Sequence, residues 1–243
     1  MMERIGSQLM EELKLPNFER INNTMTTNEN KMPQQSVQPT TDLNDQGAVK
    51  VRGHIKIFDP ESGKVYVDKS NAIHYENFSV ALVKSIGNQG TGWISEMVFG
   101  NGGTRIDPTG IITYLTPNTL GANSQLYNQT YYKNVDAQSS ADLDPTRNFM
   151  ETRHVAGATY SDLLISCLLD FGEPSGQLAF DTGTNLSNDF IFDELGLKAY
   201  SPSGANLGPL LTHVIFHPVQ KSLNRLIQID YTIRIQSISG VGA

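Results

Sequence analysis

Ten residues near the C-terminus constrain this chain more than any others. Ile227, Ile229, Tyr231, Ile233 and Ile235 alternate with Gln228, Asp230, Thr232, Arg234 and Gln236. Side chains of a strand point to opposite faces in turn, so one face here is β-branched and aromatic and the other wholly polar. A one-residue slip would turn the whole apolar set outward, so register is strongly specified. A strand of this kind has a core on one side and solvent or a polar partner on the other.

The same period recurs upstream. Val51, Gly53, Ile55 and Ile57 alternate with Arg52, His54 and Lys56. The turn-forming run Asp59-Pro60-Glu61-Ser62-Gly63 follows, then Val65 and Val67, which together predict a β-hairpin. Further strands are expected over 93–99, 158–171, 190–200 and 211–217. Leu163, Ile165, Cys167 and Leu169 share one side of the second of these, and Phe192 is a core candidate in the third. Between 107 and 153 the pattern is weak, and a long polar excursion with one or two strands is expected. One body helix is predicted: Phe78, Leu82 and Ile86 share a face, with Asn77 as N-cap and Gly87 as the stop. The fold class expected is mainly β: an antiparallel β-sandwich or jelly-roll-like body with one helix, plus an extended N-terminal arm.

That arm is residues 1–46, and the β-rich body is 47–243. Ile5, Leu9 and Leu13 recur at i, i+4 and i+8, one face of a short helix that is marginal alone in water. These three are the candidate interface residues. The stretch 22–46 is almost free of apolar side chains and reads as a linker with no core of its own. Extended, about 25 residues reach roughly 80 Å, beyond the radius of one domain. It is expected to cross to an adjacent molecule.

Charge and composition narrow the function classes. Net charge is -7, and no Lys/Arg cluster is present, so no nucleic-acid partner is expected. No basic amphipathic stretch, signal peptide or membrane-length apolar run is found, so no membrane partner is expected either. Only 18% of residues are charged, against a typical ~25%. Such a surface suits coverage by neighbours. The single cysteine, Cys167, lies in an apolar run and reads as a small buried hydrophobe from a chain made in a reducing cytoplasm.

Several patterns invite a chemical reading, and each has a plainer one. His213 and His217 are four apart on an expected strand, a span of roughly 13 Å, too far for one metal ion. Gly100-Asn101-Gly102-Gly103-Thr104 lacks the lysine of a phosphate loop, and a glycine-rich turn permitting positive φ fits better. Asp170-Phe171-Gly172 stands without any other kinase signature. Asp142, Asp144, Asp181, Asp189, Asp193 and Glu194 are read as solvated turn acids. The chain is accordingly expected not to be an enzyme, with no catalytic, cofactor-binding or metal-binding residues and no cofactor.

Three stretches carry a resemblance. They are Gly53 to Asp59 with Asn71 to Asn77, Val98 to Thr104 with the threonine-rich segment after it, and Thr212 to Pro218 on to Ile235. Over roughly 51–237 the chain resembles virion structural proteins of tailed bacteriophages, the neck, tail and fibre-associated class. The resemblance implies a β-rich subunit repeated by symmetry, located in the virion, forming a homo-oligomeric ring or attaching fibres. Its partners would be copies of itself and other virion proteins. A capsid surface or decoration protein is an alternative. So is a carbohydrate-binding β-sandwich for receptor attachment, with Trp93, Tyr127, Tyr131 and Tyr132 stacking on sugars. A polysaccharide-degrading enzyme using Asp142, Asp144, Asp181 and Asp193 ranks last.

Overall fold

The computed structural model describes residues 47–135, 148–174, 189–222 and 225–238. The arm, with Ile5, Leu9 and Leu13, lies outside the described residues, as do Asp142, Asp144 and Asp181. Eleven strands and one helix are described. In chain order they are β1 (Ala48–Phe58), β2 (Val65–Ile73), α1 (Tyr75–Ile86), β3 (Ile94–Gly100), β4 (Thr104–Ile106), β5 (Ile112–Tyr114), β6 (Gln129–Asn134), β7 (Phe149–His154), β8 (Tyr160–Leu169), β9 (Asp189–Ala199), β10 (Leu210–Ser222) and β11 (Ile227–Ile238).

Nine strands form one antiparallel sheet in the order β6-β3-β9-β10-β2-β1-β11-β8-β7, and β4 and β5 form a separate hairpin. The mainly β, antiparallel class expected from sequence is what the body has. The layering comes from one sheet folded over itself. Its two halves, β7-β8-β11-β1-β2 and β10-β9-β3-β6, are joined as paired strands only at Thr212↔Ile73 and His213↔Ala72. Beyond that junction β2 and β10 part, and Lys69 reaches across to donate to the Ile215 carbonyl at 2.8 Å.

The inner faces of both halves supply a single core. Ile55, Ile57, Cys167, Tyr231 and Ile233 come from one half, and Phe99, Leu195 and Phe216 from the other. Phe192 stands edge-on to both Phe99 (5.5 Å, 88°) and Phe216 (5.7 Å, 85°). The strand β11 holds the middle of its half as its alternation requires: Ile227, Ile229, Tyr231 and Ile233 are buried, paired with β1 on one side and β8 on the other. Each such side chain taken from water is worth about 1.5–3 kcal/mol. The buried Tyr231 hydroxyl meets the Asn71 side-chain amide. Asn71 occupies the space over position 53, where any Cβ would collide with it, so glycine stands there in an otherwise apolar row. Across the open side, Lys133 of β6 donates to the Leu168 carbonyl of β8 at 2.7 Å and pairs with Glu173 at 2.6 Å.

Differences from the sequence expectations have local causes. The helix begins earlier than placed: its N-cap is His74, whose Nδ1 accepts the Asn77 N–H at 3.2 Å. Asn77 is instead buried and donates to the Leu210 carbonyl at 2.9 Å, which turns the Asn77–Ala81 side inward. Phe78 and Leu82 are half-buried, whereas Ile86 is 78% exposed. Gly87 does end the helix. β10 runs on through Pro218, which sits where its pairing with β9 shifts between Ile215 and Val219. Among its described residues, the weakly patterned stretch after Asp107 contains three strands, β5, β6 and β7, where one or two were expected. Their short runs carry too little alternation to be read.

Candidate functional site

Two places concentrate chemistry that the strands alone do not need. The first lies on the outer side of β9 and β10, where the chain from Gly100 to Asn128 is laid over the sheet. Glu194, fully buried, points its carboxylate into that chain. One oxygen accepts from the backbone N–H groups of Gly102 (3.0 Å) and Asn128 (2.8 Å). The other accepts from the Tyr127 N–H (2.9 Å) and from His213 Nε2 (3.0 Å). His213 Nδ1 in turn accepts the Asn118 N–H at 2.8 Å, which places the ring proton on Nε2. Beside it, Asp193 accepts from the N–H groups of Gly103 and Thr104, both at 2.9 Å, and from the Thr104 hydroxyl.

These bonds explain the glycine run. Gly100, Gly102 and Gly103 are not in the left-handed region, contrary to the positive-φ expectation. They are small because the backbone approaches the carboxylates closely. A Cβ on Gly100 would lie 2.5 Å from both the Asn128 carbonyl and the Glu194 carboxylate. On Gly102 it would lie 2.7 Å from the Asn128 nitrogen. The loop is an anion cradle whose anion is part of the same chain. Burial pushes the Glu194 carboxyl up, but the hydrogen bonds from His213 and the three backbone N–H groups together hold it below its ordinary value. For Asp193 burial wins over the bonds from Thr104 and Gly103, and its carboxyl is raised. Both acids are thus latch residues, not the solvated turn acids expected from sequence.

Two buried lysines clamp other turns. Lys221 donates to the carbonyls of Asp170 (3.0 Å), Glu173 (2.9 Å) and Ser222 (2.8 Å), and burial pushes its pKa down to about 8. Lys198 donates to the carbonyl and side chain of Asn206, whose own N–H meets Glu96 at 2.8 Å. Asn206 has φ 63, a left-handed conformation held from both sides. Sequence reasoning passed over both lysines. Nothing in an alternating strand marks a lysine as buried before its acceptors are known.

The second place is an apolar cleft of about 590 Å³ between α1 and the strands, lined mainly by Phe78, Leu82, Trp93, Met150, Leu163 and Leu211. Trp93 stacks on Tyr200 at its edge, centroids 4.6 Å apart. From the cleft an apolar band continues round the exposed side of the helix through Ile86 (78% exposed), Val83 (67%) and Val80 (48%).

The other sequence candidates are dispersed. His213 is buried in the latch while His217 is exposed and contacts the Tyr114 hydroxyl, so the two do not converge. Among the described residues no group of three or more His, Cys, Asp or Glu side chains could hold a metal ion. Cys167 is buried in the core. Of the four aromatics considered for sugar stacking, Tyr131 is buried, and Tyr127 lies at the opposite end of β3 from Trp93. They form no common platform. Among the described residues no helix is long and apolar enough to cross a membrane. No protein-family model, curated protein or solved structure matches the chain.

Proposed function

We propose that this chain is a structural subunit of a larger protein assembly, a virion component of the tailed-phage neck or tail class, and that it has no catalytic role. The observation that carries the reading is the pairing of a core-less polar arm with an uncovered apolar helix face on the body. The arm has nothing of its own to fold around, and the body leaves Val83 and Ile86 in water. Both features are costs for a solitary protein and assets for one that assembles. The latch supports the reading in a second way. It pins the loop from Gly100 to Asn128 over the sheet through buried carboxylates, and a pinned loop loses little entropy when a neighbour packs on it. In this reading Ile5, Leu9 and Leu13 dock on an adjacent molecule, residues 22–46 are the strap, and repeated heterologous contacts close a homo-oligomeric ring.

Native mass spectrometry of the full chain and of residues 47–243 tests this. The full chain is expected to form a discrete oligomer and the truncated chain a folded monomer. A full chain that stays a compact monomer at every concentration, or a truncated chain that assembles normally, refutes it.

A further inference from the structure

We propose that the cleft beside α1, with the lip formed by Ile86 and Val83, receives the Ile5–Leu9–Leu13 face of a second copy of this chain. The proposal rests on the assembly reading above and adds the surface that the arm occupies.

Three observations converge on it. The first is spacing. Phe78, Leu82 and Ile86 run along α1 at i, i+4 and i+8, the spacing of Ile5, Leu9 and Leu13. At 1.5 Å per residue the α1 set extends about 12 Å, as the arm's three would in the helix their spacing predicts. Ridges at four-residue intervals on two helices interlock, the commonest way helices pack. Phe78 and Leu82 line the cleft and Ile86 lies one further turn along, outside it. The ridge on α1 therefore starts in the cleft and ends in water, with room for the last part of its partner.

The second is where the chain enters the body. One row of paired residues crosses five strands: Asn71 on β2, Gly53 on β1, Ile233 on β11, Leu163 on β8 and Thr152 on β7. Leu163 and Thr152 line the cleft, and α1 follows directly from the end of β2. β1 begins at Ala48, five residues before Gly53, or about 17 Å along the strand. β1 therefore starts at the same end of the sheet as the cleft, so two copies that meet at this end present the attachment point of each arm to the cleft of the other.

The third is length. Between Leu13 and Gly47 lie 33 residues. Reaching the cleft of the same molecule takes only about six extended residues at ~3.3 Å each. Most of the remainder is the polar 22–46 stretch, and its extra length costs only logarithmically in closure entropy. A strap this long serves a cleft on another molecule.

Cysteine pairing between separately made copies tests the site, because Cys167 is buried in the core and does not compete. Full-length L9C is mixed with full-length V83C, and in parallel with S62C, which sits in the exposed β1–β2 turn at the far end of that hairpin. Under mild oxidation, L9C is expected to form the mixed disulfide with V83C at least tenfold faster than with S62C. A V83D chain, altered at an exposed position, is expected to need about tenfold more protein to associate. Equal pairing with S62C, or no mixed disulfide while the wild-type chain still forms oligomers, overturns the site and leaves the assembly reading standing. A doubly substituted L9C/V83C chain that closes only on itself at dilution shows the cleft filled by its own arm and overturns the second-copy assignment. A wild-type chain that stays monomeric removes this proposal together with the reading beneath it.

Discussion

Replacing Glu194 by glutamine keeps the shape of the latch and removes its chemistry. The carboxylate accepts four N–H donors, two on each oxygen. Glutamine keeps one oxygen and puts an NH₂ in place of the other. Whichever way the amide turns, two donors then face a donor. Turned one way these are Gly102 and Asn128; turned the other they are Tyr127 and His213. A buried donor left without an acceptor costs about 1–3 kcal/mol, so E194Q is expected to lose about 4 kcal/mol. No cavity term enters, because the side chain is isosteric. For a body of this size roughly 2–4 °C accompanies each kcal/mol, which gives a fall in Tm of about 8–16 °C. Urea unfolding followed by Trp93 fluorescence and circular dichroism measures it at pH 7. Glu151→Gln, in an exposed pair with Arg153, is the control and should stay within about 0.5 kcal/mol. The sign of the pH dependence is fixed as well. The folded Glu194 carboxyl lies below its ordinary 4.5. Its contribution is therefore complete above that value and is lost as pH falls through the lower, folded one. The gap between wild type and E194Q should narrow on acidification below about 4.5. A loss under about 1 kcal/mol at neutral pH, or a gap that widens in acid, would mean that the four bonds do not hold the loop.

Two further outcomes follow from the core and its buried lysine. Phe192→Ala removes the ring that joins Phe99 and Phe216 on the inner face of β3, β9 and β10, and should cost about 3–5 kcal/mol in urea unfolding; a cost below about 1.5 kcal/mol would mean that this ring is not packed into the core. Lys221, held near 8 against an ordinary 10.5, binds fewer protons folded than unfolded between those values. Stability should therefore rise with pH across that window in wild type relative to K221M, and parallel curves for the two proteins would show that Lys221 is not buried as a cation.

The sequence exposed the frame and hid the latch, for one physical reason. Alternation is a local property. Ile227 to Ile235 must put one face inward wherever the partner strands lie, and β11 does so. The 51–67 hairpin, Phe192 and the buried Cys167 were legible in the same way. The latch joins Gly102, Asn118, Asn128, Glu194 and His213, separated by up to 111 residues, and nothing local distinguishes a cradle glycine from a turn glycine. The helix face was misread for a related reason. Phe78, Leu82 and Ile86 are one ridge, but burial is decided by the bond from Asn77 to Leu210, a residue 133 positions away.

The two halves of the folded sheet are finished differently, and the difference locates the surface left over. On β3, β9 and β10 both faces are covered: the inner by the core, the outer by the loop that Glu194 and Asp193 pin, with Leu126 and Leu210 packed beneath it. On β1 and β11 the outer face carries the charged Lys50, Arg52, Asp230 and Arg234; Asp230 accepts from the Ser166 hydroxyl, and Arg234 forms a two-bond pair with Asp162 of β8. Among the described residues the strand faces leave no apolar row bare, although the pinned loop exposes Ile106, Ile111 and Leu120. α1 exposes apolar side chains too: its inner side is committed through Asn77 and Ala81, while Val83 and Ile86 are not. Val80, Val83 and Ile86, three exposed aliphatic side chains at three-residue spacing beside an apolar cleft, stand closer together than the scattered surface hydrophobes found on any protein. On α1, unlike on the strands, exposed aliphatic side chains thus stand directly beside an apolar cleft.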